Sequence, residues 1–170
     1  MKACGFSGPS GAGKTTLMEG VIRALKAAGQ RVSVVKHAHQ GFDIDTPGKD
    51  SWRHRQAGAF EVVVASSHRL AKVREFEAPV DLNVHQLLAE LVACDWALVE
   101  GFKHADLLRV ELCQDGTPPV YPEDPFVLAI CCAGAEPPEP TMRPVFRRDD
   151  AAGVAAFLLH NAERFEYTHA

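Results

Sequence analysis

The chain has no long apolar run. Its longest uninterrupted apolar stretch, residues 126–135, falls far short of the roughly 20 residues that cross a bilayer, so no membrane partner is expected. The N-terminus runs straight into a glycine-rich loop without the apolar region of a signal peptide, and the expected location is the cytoplasm. Basic residues are not in excess: 18 Lys and Arg stand against 22 Asp and Glu, a formal net charge of -4. That balance lacks the basic face of nucleic-acid-binding domains, so no nucleic-acid partner is expected. No CxxC pair occurs among the five cysteines, Cys4, Cys94, Cys113, Cys131 and Cys132. Their odd number and scattered spacing exclude a zinc ribbon and a disulfide framework and leave buried, reduced thiols. There is no internal repeat. A length of 170 residues suits one domain with a full core, and a single nucleotide-binding domain over residues 1–170 is expected.

What is present is an alternation of apolar periods. Residues 2–7 form a short apolar run leading into glycines, the pattern of a buried strand. Leu17, Val21 and Leu25 then repeat every four residues, with Met18 and Ile22 beside them, as on one helix face. Gly29 stands where a helix C-terminal glycine belongs, and residues 31–36 (RVSVVK) are β-branched. Strand, helix and strand in succession imply parallel pairing. Residues 37–50 read as an irregular loop and 51–57 as a short helix. Residues 60–66 and 70–76 alternate like two strands around a turn near Ser67 and His68, and 84–92 read as a helix. Further strands are expected at 96–99, 108–113 and 127–132, a proline-rich loop at 136–144, and a last helix led by Asp149 and Asp150. The fold class is therefore α/β: a three-layer P-loop NTPase fold with a mainly parallel sheet and an extra β-hairpin near 60–76.

Between the first strand and the first helix lies Gly8-Pro9-Ser10-Gly11-Ala12-Gly13-Lys14-Thr15. This is G-x-x-x-x-G-K-[ST] in the context that makes it a phosphate loop. The glycines let the backbone wrap a phosphate and turn successive N–H groups inward, and the helix start adds its positive end. Lys14 would bridge the β- and γ-phosphates, Thr15 would ligate Mg²⁺, and Thr16 would support the α-phosphate. The ligand expected is a purine nucleoside triphosphate with Mg²⁺. Such a site needs an acid near the metal. Glu100 ends an apolar strand and would emerge at its C-terminal edge, where open α/β sheets bind ligands; Asp95 starts the same strand and belongs to the opposite edge. The segment after residue 36 adds Asp43, Asp45, Lys49 and Asp50; an acid there either contacts the metal or the attacking water, or belongs to a solvated loop.

The stretches GPSGAGKTTL, KHAHQGFDIDTPGKDSWRHRQAGA and LVEGFK, in that order and spacing, resemble the family of molybdopterin-guanine dinucleotide biosynthesis protein B (MobB). The resemblance runs from Lys2 to about Lys103, with a weaker echo in FVLAICC and PVFRRDDAAGVAAFLL. It implies a GTP-binding homodimer with weak GTPase activity that assists a molybdopterin guanylyltransferase partner in molybdenum cofactor synthesis. By that resemblance Gly11, Gly13, Lys14, Thr15 and Thr16 match the nucleotide loop, which Gly8, Ser10 and Ala12 complete as the phosphate-loop motif reads, and Asp45 and Glu100 match the acids expected at Mg²⁺ and in catalysis. Lys36, His37 and Lys103 match further family positions. Cys131-Cys132-Ala133 stands where many relatives carry a polar pair, and no N-K-x-D motif occurs, so guanine preference follows from the resemblance. Two other readings remain at this stage. A P-loop small-molecule kinase would carry an arginine-rich lid, and neither Arg53 with Arg55 nor Arg147 with Arg148 sits in an obvious one. A nickel-type metallochaperone GTPase is suggested by His37 and His39.

Overall fold

Short, largely apolar runs assemble here into parallel strands. The computed structural model describes residues 1–38, 41–134 and 136–168. In chain order the elements are β1 (Lys2–Ser7), α1 (Lys14–Ala27), β2 (Val32–Lys36), α2 (Asp50–Gln56), β3 (Glu61–Ala65), β4 (Leu70–Arg74), α3 (Val84–Ala89), β5 (Trp96–Glu100), β6 (Arg109–Leu112), β7 (Val127–Cys132), β8 (Val145–Arg147) and α4 (Ala151–His160). A 3-10 turn, Ala162–Phe165, follows.

By packing, the chain forms two units, Met1–His37 with Asn83–Ala170, and Ala38–Leu82. The first holds a sheet in the order β2-β5-β1-β6-β7-β8, with each neighbouring pair parallel. Side chains alternate across it. Cys4, Phe6, Leu98, Val110 and Leu112 face one way and pack with Leu17, Val21 and Leu25 of α1 and with Val154 and Leu158 of α4. Ala3, Val35, Ala97 and Val99 face the other way and pack with Val84 and Leu88 of α3. These are the three layers expected. β5 is buried on both faces, which explains its unbroken WALV run.

The second unit holds α2 and the antiparallel pair β3–β4, the hairpin expected near 60–76. The Ser66 amide donates to the Arg69 carbonyl at 2.8 Å and closes the turn around Ser67 and His68. Arg74 and Glu61, directly opposite in register, pair at 2.9 Å. Arg55 is nearly buried and gathers three carboxylates: Asp43 at 3.0 Å, Asp45 at 3.2 Å and Glu75 at 2.6 Å.

Three elements differ from expectation. The helix foreseen over 84–92 stops at Ala89, because the amides of Glu90 and Leu91 close three-residue bonds on Leu87 and Leu88. β8 and the 3-10 turn were not foreseen; three or four residues are too few to display a period.

Candidate functional site

β1 lies between β5 and β6, so the loop that leaves it emerges at the carboxyl edge with β5 on one side and β6 on the other. Two glycines hold that loop against its surroundings. Gly8 has φ 138°, and a Cβ there would stand 2.4 Å from the Leu112 carbonyl oxygen. Gly13 has φ 91° and is the residue from which α1 starts. Both conformations strongly disfavour L side chains. Ser10 and Gly11 form the exposed crest, while Ala12 turns its methyl into the core. No side chain caps α1, so its first N–H groups remain for a ligand. Asn83 and Asp150, in contrast, cap α3 and α4 with their own side chains.

Lys14 folds back over the loop and donates to the carbonyls of Gly8 at 2.9 Å and Pro9 at 2.7 Å. Burial pushes its pKa below the ordinary lysine range; Glu100 opposes the shift and Lys36 adds to it. Thr15 donates its hydroxyl to Glu100 Oε1 at 3.1 Å. Glu100 also pairs with Lys36, whose Nζ is 3.2 Å from Oε2. Strand register explains this convergence: Phe6, Lys36 and Glu100 stand side by side on β1, β2 and β5. The Thr16 side chain is exposed on the first turn of α1. Asp95 sits at the opposite edge, as expected, accepting from the Arg31 amide at 2.6 Å.

Just past Glu100 the backbone becomes unusual. Gly101 has φ 100° and Phe102 φ 52°, a left-handed conformation uncommon for a bulky residue. The Phe102 ring lies against His37, with centroids 4.6 Å apart, and the His37 amide donates to the Glu100 carbonyl at 3.0 Å. Such outliers gather at functional sites.

Asp45 belongs to the second unit. Burial pushes its carboxyl up, but bonds from Ser51, the Thr46 amide and Arg55 outweigh this and hold it below the usual aspartate range. The Asp45 amide and Arg55 likewise hold Asp43 low. His39 lies outside the described residues.

One residue was missed. Arg148 follows β8, and a Cβ on Gly13 would meet its Cδ at 3.3 Å, while its Nη2 donates to the Cys113 carbonyl at 2.7 Å. It joins the phosphate loop to the end of β6. Its only sequence signal was the Arg147–Arg148 pair.

In chemical terms, a backbone cradle, a lysine ammonium, a hydroxyl and a carboxylate meet at one helix start. That set suits a polyphosphate and a hard, oxygen-seeking cation. The family model of molybdopterin guanine dinucleotide synthesis protein B (MobB) matches residues 3–133. The chain belongs to the MobB family. It is 41% identical over 127 residues to the molybdopterin-guanine dinucleotide biosynthesis adapter protein of Haemophilus influenzae, covering 74% of this chain and 71% of that one. It is 42% identical over 113 residues to the adapter protein of Escherichia coli, 65% of each. The crystal structure of Bacillus subtilis MobB superposes with a TM-score of 0.73 at 25% identity, covering 94% of this chain and 97% of that one. The span matched by the MobB model contains the phosphate loop, Lys36, Asp45 and Glu100; Arg148 lies beyond it. Among the described residues of this MobB chain, no helix is long and apolar enough to cross a membrane.

Proposed function

We propose that this MobB chain binds GTP with Mg²⁺ through residues 8–16 and serves as an accessory in molybdenum cofactor biosynthesis, assisting the guanylyltransferase partner that joins GMP to molybdopterin. The observation that carries the reading is the meeting of Thr15, Glu100 and Lys36 beside the loop that Lys14 folds over. Relatives named as adapter proteins at 41% and 42% identity support the pathway and favour it over the kinase and metallochaperone readings.

The residues fit the metal. Thr15 and Glu100 present a hydroxyl and carboxylate oxygens 3.1 Å apart, the hard donors that Mg²⁺ takes beside phosphate oxygens. Bound Mg²⁺ would neutralise charge on the β- and γ-phosphates. Glu100 would hold the metal directly or through water, sharing its carboxylate with Lys36; Asp45 is proposed as a second acid from its place in the family motif. Lys14 binds phosphate, the uncapped α1 amides orient it, and Arg148 braces the loop at Gly13.

Hydrolysis by the chain alone is expected to be slow, on the order of 10⁻³–10⁻² s⁻¹ or below, as in GTPases without a supplied arginine finger. Arg148 does not change this expectation, because its guanidinium is engaged by the Cys113 carbonyl. A homodimer, a cytoplasmic location and a single working domain spanning both units belong to the same proposal. The test is a reconstituted cofactor guanylation with the purified guanylyltransferase. Wild type should raise the yield and Lys14→Ala should not; equal yields with both proteins would sink the role of the nucleotide.

A further inference from the structure

β6 and β7 run parallel with Leu112 beside Cys131, so the next residues along, Cys113 and Cys132, also stand side by side. Side chains alternate across a sheet. Leu112 and Cys131 pack with α1 and α4, while Cys113 and Cys132 turn together to the opposite face, beside Tyr121 and Ile130. There the Cys113 thiol donates to the Cys132 sulfur. Neighbouring strands lie about 4.7–4.9 Å apart, inside the Cα separation of about 4.4–6.8 Å that a disulfide spans. Both thiols line a cavity of about 240 Å³, many times the roughly 10–15 Å³ that one water needs, so a reagent of water's size can reach them. Cys4 and Cys131, in contrast, are sealed in the core.

One side chain ties this pair to the phosphate loop. Arg148 donates its amide to the Cys132 carbonyl at 2.8 Å and its Nη2 to the Cys113 carbonyl at 2.7 Å, so the backbone of both cysteines grips it. Its Cδ stands against Gly13, 3.3 Å from where a Cβ would lie. A disulfide holds its two Cβ atoms about 3.5–4.5 Å apart, closer than the strand spacing. Closing it draws the two residues together and tilts the carbonyls that hold Arg148.

We infer that Cys113 and Cys132 form an oxidant-sensitive dithiol, which hydrogen peroxide converts to a disulfide that loosens Arg148 from Gly13 and weakens triphosphate binding. The effect on triphosphate rests on the reading proposed above. Cys132 reacts first: it accepts the Cys113 S–H and lies beside Arg148, and both favour its thiolate. Burial still holds its pKa above the ordinary range, so the rate rises with pH. The thiolate attacks one peroxide oxygen, the O–O bond breaks, and hydroxide leaves, taking up the released proton as water. The Cys113 sulfur then attacks the resulting sulfenic sulfur, the S–O bond breaks, and the second oxygen leaves with the Cys113 proton, again as water. The two sulfurs give up two electrons, and the peroxide is reduced to two waters.

The test treats the full chain with hydrogen peroxide and then with dithiothreitol. Peroxide should remove two of the five free thiols. Cleavage at Asp and Glu, followed by mass spectrometry, should join the peptide of Cys113 to that of Cys132. Cys113→Ala and Cys132→Ala should form no such link, whereas Cys94→Ala and Cys131→Ala should form it as wild type does. On oxidation, amide exchange over residues 8–13 should rise, and affinities for GTP and tripolyphosphate should fall together by about 5- to 150-fold, the ordinary range for coupled sites. Dithiothreitol should restore both, and Cys113→Ala should keep its untreated affinity through the same treatment. Absence of the Cys113–Cys132 link, or a link that leaves exchange and affinity where they were, overturns the inference. If reduced wild type binds neither GTP nor tripolyphosphate, the triphosphate reading fails, and the link and the exchange decide the dithiol by themselves.

Discussion

Thr15 and Glu100 lie 85 residues apart in sequence, yet the threonine hydroxyl donates to the carboxylate at 3.1 Å. The first turn of α1 and the carboxyl end of β5 are thereby locked at one point. If that point is a metal site, Glu100→Gln keeps the shape and removes the charge. GTP affinity in Mg²⁺ should fall by about 10- to 100-fold, with a much smaller loss in EDTA. Calorimetry in both buffers checks this; equal losses would mean that Glu100 only positions Thr15 and Lys36.

Lys14 gives a pH signature. Burial lowers its pKa, and Glu100 offsets this only in part. Phosphate binding needs the charged form, so affinity is full at pH below the lowered pKa and lost as pH rises through it. Wild-type GTP affinity should therefore begin to fall at a lower pH than the ordinary lysine value of 10.5 would set. An alkaline profile flat to that value would show that the ammonium does not touch the nucleotide.

The Arg55 cluster should hold the second unit together. Asp43 and Asp45 have lowered pKa values, so their contribution is present above the ordinary aspartate range and is lost as pH falls through the lowered values. Arg55→Met should raise amide exchange over residues 41–76 at neutral pH. Wild type should show the same loosening only on acidification. Asp45→Asn should slow turnover while leaving GTP affinity within about twofold of wild type.

Much of this architecture was legible because it rests on local periods. The four-residue apolar repeat of α1, the unbroken WALV run of β5 and the glycine-lysine loop each announce themselves within a few residues. Glu100 was legible because the end of a buried strand points to the ligand edge. Its pairing with Lys36 was not, since it depends on β2 and β5 being neighbours in register. Arg148 was hidden for a similar reason: β8 is three residues long. The Arg55 cluster joins residues from 43 to 75, which no window of sequence displays.

The hairpin leaves Val63, Val64 and Leu70 exposed, at 56%, 47% and 67%. A two-stranded sheet with apolar exposed positions readily pairs with another chain. Light scattering at micromolar concentration should give a dimer, and Leu70→Lys should shift it toward monomer. A monomeric wild type would contradict the homodimer.

The central claim is that residues 8–16 bind a nucleoside triphosphate through Lys14. Calorimetric titration of GTP with Mg²⁺ into wild type and Lys14→Ala tests it most directly. A charge-assisted contact of about 1.5–3 kcal/mol predicts saturable binding by wild type and a loss of roughly 10- to 150-fold in the variant, with the fold unchanged by circular dichroism. Equal affinity in the two proteins, or no binding by wild type, would contradict the account.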